Sequence, residues 1–148
     1  LRGYIHQSSI KPLSDIGTDG VTPMETAKRF IQCAYQYGGR NPSGLDCSAL
    51  VQLAYWRSGI KLPRDCDQQE PVIGEAVDFG GDVENIKNLK AGDLVYLKGH
   101  VGMMLDEENI ISATDRNMGV LTETVKSFAA HYNRVDKKPI TSVKRLKL

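Results

Sequence analysis

Cys47 stands where a cysteine is well placed for covalent chemistry, because it follows a glycine-rich loop at residues 38–44 and opens a predicted helix over 47–58. At such a junction the thiol faces free backbone N–H groups and the positive end of the helix dipole, and both favour the thiolate. The same N–H groups can bind the oxyanion that forms when sulfur attacks a carbonyl. Asp46 suits the cap of this helix. Position alone leaves an equal alternative, in which Cys47 is a buried structural cysteine.

A nucleophilic cysteine needs a base, and the chain has three histidines. His6 lies in an apparent linker and His131 in a polar stretch, whereas His100 opens a predicted strand directly after Gly99. A histidine at a strand edge can project into a cleft from a rigid support, so His100 is the best candidate for the base. A cysteine followed by a histidine, across helix and sheet, fits a papain-like layout.

The other two cysteines have weaker claims to chemistry. Cys33 falls beside the apolar stripe of the first predicted helix and is interpreted as a buried small hydrophobe. Cys66 lies in a polar segment, and its role stays open. The chain has no CxxC, HExxH or P-loop motif, so zinc and nucleotide sites lack support. A metal held by Cys47, Cys66 and His100 is a minor alternative, and no metal or organic cofactor is expected.

The elements that must position these side chains are two helices followed by a run of strands. Thr22, Pro23 and Glu25 form a helix start with a capping box. Apolar residues at helical spacing extend this helix to just before Gly38. Alternating patterns then predict strands over 93–98, 100–105, 109–114, 120–125 and 140–148. Helices followed by antiparallel strands indicate an α+β fold.

Composition sets the class of protein. The chain has 148 residues, of which 41% are apolar and 25% charged, and a net charge of +1, so it suits one globular domain. This charge balance gives no general attraction to nucleic acid, and no apolar run approaches the roughly 20 residues of a membrane span. The three cysteines are an odd number, so at least one thiol is unpaired within the chain. Because the chain begins with Leu1, we expect it to be a piece of a longer protein.

Five sequence blocks occur in an order that resembles the NlpC family of bacterial cell-wall cysteine peptidases. They are residues 35–39, residues 44–48, residues 62–64 with Gln69, residues 89–95 and residues 100–102. The match runs from about residue 24 to the C-terminus. It implies a compact papain-like fold, with N-terminal helices packed on an antiparallel sheet. Residues 1–20 resemble the last strand of a bacterial Src-homology-3-like domain. We therefore expect a linker or the end of an upstream domain over 1–20 and the peptidase domain over 21–148.

The resemblance implies roles for four residues in catalysis. Cys47 matches the family nucleophile and His100 its base, while Tyr35 matches a tyrosine that helps to hold the oxyanion. The family usually places His, Asn or Gln twelve residues after the base to orient the imidazole, and Ser112 occupies that position here. A serine hydroxyl is shorter and holds the ring less firmly, which predicts slower turnover.

The resemblance also implies a set of substrate-binding residues. Asp46 and Ser48 match positions that bind the free amine of an N-terminal alanine in some members. Arg64 belongs to a matched block, and Cys66 replaces a serine that lines the substrate pocket in many relatives. Cys66 could pair with Cys47 under oxidation.

The function that follows is hydrolysis of peptidoglycan stem peptides, at the bond between D-glutamate, through its γ-carboxyl, and a diamino acid. A thioester intermediate is expected. The alternatives are an amidase or acyltransferase of the same fold, or a weakly catalytic wall-binding module. The expected partner is peptidoglycan or a muropeptide, with no nucleic acid and no membrane span. The expected location is the bacterial cell envelope, either periplasmic or secreted.

Residues 70–86 contain five acids and no lysine or arginine: Glu70, Glu75, Asp78, Asp82 and Glu84. They are interpreted as a possible rim of the cleft that would attract the amine of a diamino acid. The alternative is a solvated acidic loop.

Overall fold

The computed structural model of the chain describes residues 3–7, 10, 12–81, 85–136 and 139–147. Within these ranges it has four α-helices and eight strands, so the α+β prediction is confirmed. The helices are α1 (Pro23–Lys28), α2 (Cys47–Arg57), α3 (Cys66–Gln69) and α4 (Val125–Asp136). The strands are β1 (Arg40–Asn41), β2 (Gly44–Leu45), β3 (Glu75–Ala76), β4 (Leu94–Leu97), β5 (His100–Met104), β6 (Asn109–Thr114), β7 (Gly119–Thr124) and β8 (Ile140–Arg145).

Six strands form one antiparallel sheet in the order β3-β8-β4-β5-β6-β7. Both faces of this sheet are covered, as the alternation along β4 shows. Leu94 and Tyr96 belong to the core that contains α2, whereas Val95 and Leu97 belong to a second core with α4. Because successive side chains of a strand point to opposite faces, α2 and α4 lie on opposite sides of the sheet.

The first helix is shorter than its apolar spacing predicts. Its capping box is present, since Glu25 N–H donates to Thr22 Oγ1 and Thr22 N–H donates to the Glu25 carboxylate. The helix nevertheless ends at Lys28, and Gln32 takes a left-handed backbone with φ of 71°. The reason is tertiary: Gln32 N–H donates to the carbonyl of Val120 in β7, which draws this segment onto the sheet edge.

The five predicted strands are present as β4 to β8, with ends that differ by at most three residues. Helix α4 is absent from the sequence-based prediction. Among the described part of residues 1–20 there is a short 3-10 turn at Leu13–Asp15 and no strand. The likeness of this segment to the end of an upstream domain stays a prediction, and residues 1, 2, 8, 9 and 11 lie outside the described residues.

Among the helices within the described ranges, α4 is the longest, with 12 residues. None of the described helices combines the length and the apolar character that crossing a membrane requires.

Candidate active site

Cys47 is the first residue of α2, as the sequence predicts. The helix begins there because Asp46 has an extended backbone and its Oδ1 accepts the Ala49 N–H at 2.8 Å, which satisfies a helix N–H group that would otherwise lack a partner. The preceding loop folds tightly on itself, and a Cβ at Gly39 would lie only 2.4 Å from the carbonyl oxygen of Gly44. This loop brings Cys47 to the sheet, and the residue is 6% exposed.

The Asp46 carboxylate is held by a dense set of hydrogen bonds. Arg64 donates to both of its oxygens, at 2.9 and 2.6 Å, and the Gly38 N–H donates at 2.9 Å. Arg64 also donates to Ser48 Oγ at 2.9 Å. Burial raises the pKa of Asp46, but the hydrogen bonds from Arg64 and from backbone N–H groups outweigh burial and hold the pKa below its usual value. The cluster thus ties together the two sides of the Cys47 loop, and its role in binding a substrate amine stays a prediction.

The thiols of Cys47, at the start of α2, and Cys66, at the start of α3, lie close enough to influence each other's ionisation. The hydrogen bond to Cys66 and the burial of Cys47 raise the pKa of the Cys47 thiol well above its usual value, although the Val101 N–H acts in the opposite direction. The same hydrogen bond lowers the pKa of Cys66. This outcome differs from the expectation of an acidified Cys47, because a neighbouring thiol that ionises first opposes a second negative charge. All three cysteines carry free thiols.

His100 begins β5 and contacts two aromatic rings of α4. Its Nε2 lies 3.0 Å from the hydroxyl oxygen of Tyr132, and the two ring centroids are 4.6 Å apart. The Tyr132 hydroxyl also lies 2.9 Å from Thr114 Oγ1. Here the structure differs from the expectation for Ser112, whose hydroxyl is buried and makes no hydrogen bond to any described residue. The group at hydrogen-bonding distance from Nε2 is therefore a tyrosine from a helix and not the strand residue twelve positions on.

Tyr132 is the site residue that the sequence analysis missed. A signal for it exists, since Val125, Phe128, Ala129 and Tyr132 recur at helical spacing, and all four are buried. Thr124 also suits a helix cap, and its Oγ1 accepts the Ser127 N–H at 3.2 Å. The polar residues around His131 concealed this pattern.

An open cleft of about 490 Å³ lies over Cys47. Of the residues predicted from sequence, five line it: Tyr35, Asp46, Cys47, Ser48 and Cys66. Arg64, His100 and Ser112 do not line the cleft, but Lys98 and Gly99 directly before His100 do. The charged cleft residues beyond Asp46 are Asp65, Asp67 and Lys98.

Tyr35 is positioned beside the cleft by backbone pairing. Its N–H donates to the carbonyl of Met118 at 2.9 Å, and it pairs with Leu45 just before the Asp46 cap. Burial and the nearby Cys47 raise the pKa of Tyr35 to about 12, so its hydroxyl remains a neutral hydrogen-bond donor at physiological pH.

The acidic rim predicted over residues 70–86 is not found where it is described. Glu70 accepts hydrogen bonds from two hydroxyls of β8, and Glu75 pairs with β8 at the edge of the sheet. Neither they nor Asp78 line the cleft. Asp82 and Glu84 lie outside the described residues. Within the described ranges, no group of three or more His, Cys, Asp or Glu side chains is arranged to hold a metal ion.

Replacing Cys66 by serine is expected to make alkylation of Cys47 faster near neutral pH. A serine hydroxyl does not ionise in this range and can donate to the Cys47 sulfur, so the pKa of Cys47 falls and its thiolate forms at lower pH. The measurement is the pH dependence of iodoacetamide labelling at Cys47, read by peptide mass spectrometry. Cys33→Ser is the matched control, because Cys33 does not line the cleft. A Cys66→Ser profile that overlays the wild-type profile would contradict this role of Cys66.

Comparison with families of known proteins gives one matching family model, which is described as the NlpC/P60 family and matches residues 32–138. This range contains Cys47, Cys66, His100 and Tyr132.

Several characterised proteins are similar to parts of the chain. It is 39% identical over 85 residues to the gamma-DL-glutamyl hydrolase of Bacillus subtilis, and the aligned region covers 56% of this chain and 19% of that protein. It is 26% identical over 132 residues to the gamma-D-glutamyl-L-lysine dipeptidyl-peptidase of the same organism, and the aligned region covers 82% of this chain and 42% of that protein. The chain therefore spans less than half the length of each of these relatives.

Solved structures share the fold. The peptidoglycan hydrolase RipB of Mycobacterium tuberculosis matches with a TM-score of 0.67 and 21% identity, over 99% of this chain and 74% of that one. The NlpC/p60 domain of the peptidoglycan hydrolase SagA matches with a TM-score of 0.65 and 23% identity, over 86% and 98%. RipD of M. tuberculosis, described as non-catalytic and adapted to peptidoglycan binding, matches with a TM-score of 0.60 and 19% identity, over 93% and 100%.

Proposed function

Because the chain belongs to the NlpC/P60 family, we propose that it is a cysteine peptidase that hydrolyses the stem peptides of peptidoglycan. The family resemblance of its ordered motifs is confirmed, and so is the fold that the resemblance implied. The observation that carries the proposal is the place of Cys47, which opens a capped helix and faces a cleft that Tyr35 also lines.

The proposed reaction is acyl transfer in two steps. His100 accepts the proton of Cys47, and the thiolate attacks the amide carbon of the substrate. The Tyr35 hydroxyl and the Cys47 backbone N–H donate to the oxyanion. His100 then protonates the leaving amine, and water attacks the thioester to release the acid and restore the thiol.

The bond proposed for cleavage joins the γ-carboxyl of D-glutamate to a diamino acid. Two relatives support this choice, since the names of both B. subtilis enzymes specify γ-glutamyl bonds. The cleft also offers charges of both signs, because the acids Asp65 and Asp67 line it together with Lys98. A diamino acid carries an amine and D-glutamate a carboxylate, so both charges have a counterpart in the substrate.

The proposed location is the bacterial cell envelope, periplasmic or secreted, because that is where peptidoglycan lies. An upstream domain in the full protein, of which residues 1–20 would be the end or the linker, belongs to the same proposal.

The test is digestion of defined muropeptides, with products identified by mass spectrometry and Cys47→Ala as the matched blank. Cleavage between D-glutamate and the diamino acid supports the proposal. Comparing a free with an acylated N-terminal alanine tests whether Asp46 and Ser48 bind the amine. Release of the whole stem peptide from N-acetylmuramic acid would replace the proposal by an amidase.

A wall-binding module is the second candidate, and the raised pKa of the Cys47 thiol favours it, since less of the thiol is ionised at neutral pH. Retained binding of muropeptides with no product for wild type would establish that role.

A further inference from the structure

We infer that Tyr132 positions the imidazole of His100 and that Thr114 sets the direction in which the Tyr132 hydroxyl points its proton. This inference rests on the proposed function, in which His100 is the base. It makes Tyr132 and Thr114 positioning residues, since both act on the reaction through His100.

The contact between Tyr132 and His100 is both polar and stacked. The Tyr132 hydroxyl oxygen lies 3.0 Å from His100 Nε2, and the two rings are tilted by 32° at 4.6 Å between centroids. Phe128, one helical turn earlier, supports both rings, with its centroid 5.6 Å from that of His100 and 5.1 Å from that of Tyr132. Tyr132 and His100 are 4% and 6% exposed, so no bulk water competes for this hydrogen bond.

Thr114 contacts the Tyr132 hydroxyl, which in turn contacts His100. Its Oγ1 lies 2.9 Å from the Tyr132 hydroxyl and is fully buried on β6. The same oxygen accepts the Arg116 N–H at 3.2 Å, which fixes the place of the threonine. The polar sequence is therefore His100 Nε2, Tyr132 hydroxyl and Thr114 hydroxyl.

The chemistry of the base selects one direction of donation along this sequence. When His100 has taken a proton it is an imidazolium, and its Nε2–H must donate. The Tyr132 oxygen then accepts this hydrogen bond, and the Tyr132 O–H donates to Thr114 Oγ1. The same direction in the neutral ring keeps the proton on Nε2, so that Nδ1 carries the lone pair with which, in the proposed reaction, His100 accepts the proton of Cys47. Burial raises the pKa of Tyr132 to about 12, so Tyr132 retains the proton that this arrangement uses.

The strand position that the family resemblance pointed to does not provide this contact. Ser112 lies two residues before Thr114 on β6, but its hydroxyl has no hydrogen-bond partner among the described residues. The tyrosine reaches the ring from α4, where Val125, Phe128 and Tyr132 form one core with residues of β4 and β5.

The first test is Tyr132→Phe, which removes one oxygen and keeps the ring contacts. We expect kcat for muropeptide hydrolysis to fall about 10- to 100-fold with KM unchanged, as for other groups that orient a histidine through its second ring nitrogen. Tyr55→Phe is the matched control, because it removes another buried hydroxyl, bonded to the Gly92 carbonyl away from His100. It should lower the melting temperature similarly and leave kcat unchanged.

The second test compares Thr114→Val with Thr114→Ser. Valine lacks the acceptor, so the Tyr132 hydroxyl turns and donates to Nε2, which places the proton of the neutral ring on Nδ1. We expect Thr114→Val to lower kcat at least as much as Tyr132→Phe. Serine keeps the hydroxyl and loses only a methyl group, so Thr114→Ser should retain most of kcat.

Equal losses for the valine and serine variants would show a packing effect and overturn the role of Thr114. An unchanged kcat in Tyr132→Phe, or a larger loss in Ser112→Ala, would overturn the role of Tyr132. Hydrolysis that persists in Cys47→Ala would instead contradict the proposed function, so the two failures are distinguishable.

Discussion

His100→Ala is expected to lower kcat/KM for muropeptide hydrolysis by at least about 10³-fold, because both proton transfers of the proposed reaction pass through this imidazole. Labelling of Cys47 by iodoacetamide near neutral pH should slow in the same variant. The reason is that a buried thiol with a raised pKa depends on a nearby base to form its thiolate.

The control for this prediction is the double variant. Groups that act as one catalytic unit are not additive, so Cys47→Ala/His100→Ala should be no slower than Cys47→Ala alone. His131→Ala is a matched single control, because His131 lies on α4 outside the cleft. Activity within about tenfold of wild type in His100→Ala would contradict a base role for His100.

Arg64→Met is expected to lower the free energy of unfolding by about 3 kcal/mol, because it leaves the Asp46 carboxylate without its cation. The side chain of Asp46 is 8% exposed and that of Arg64 is 23% exposed, so water compensates little for the lost ion pair. Activity should fall as well, since Asp46 also caps the helix that begins at Cys47. The measurement is chemical denaturation, followed by far-UV circular dichroism.

Two comparisons sharpen this prediction. Arg57→Met removes the ion pair with Asp19, whose side chain is 29% exposed, and should cost less than about 1 kcal/mol. In Arg64→Met/Asp46→Asn the buried carboxylate is gone, so the double variant should lose at least about 1 kcal/mol less than the sum of the single variants. Strict additivity would mean that the pair does not stabilise the loop.

Local chemistry explains the parts of the site that could be predicted. The glycine-rich loop, the Asp46 cap and the helix that begins at Cys47 depend on neighbours within a few residues, and these signals are visible in the sequence. The five long strands were visible for the same reason, because alternation and turn residues are local patterns. The family motifs added the prediction that His100 acts as the base for Cys47, which no local pattern contains and which stays a prediction.

Other features depend on contacts between distant residues. Helical spacing predicts a longer first helix than the structure has, because it does not reveal that the Gln32 N–H donates to the Val120 carbonyl in β7. The position of Cys47 at a helix start predicts a lowered pKa, but the neighbouring Cys66 thiol and burial raise it.

The sequence by itself determined the fold class, the capped helix with Cys47 at its start and the identity of the candidate base. Tertiary structure alone decided what holds that base. His100 and Tyr132 are 32 residues apart and meet only because α4 packs against the sheet and brings Tyr132 to the start of β5. The serine at the expected strand position lies on the neighbouring strand, yet a hydroxyl on a short side chain does not make the contact that the longer tyrosine makes from the helix.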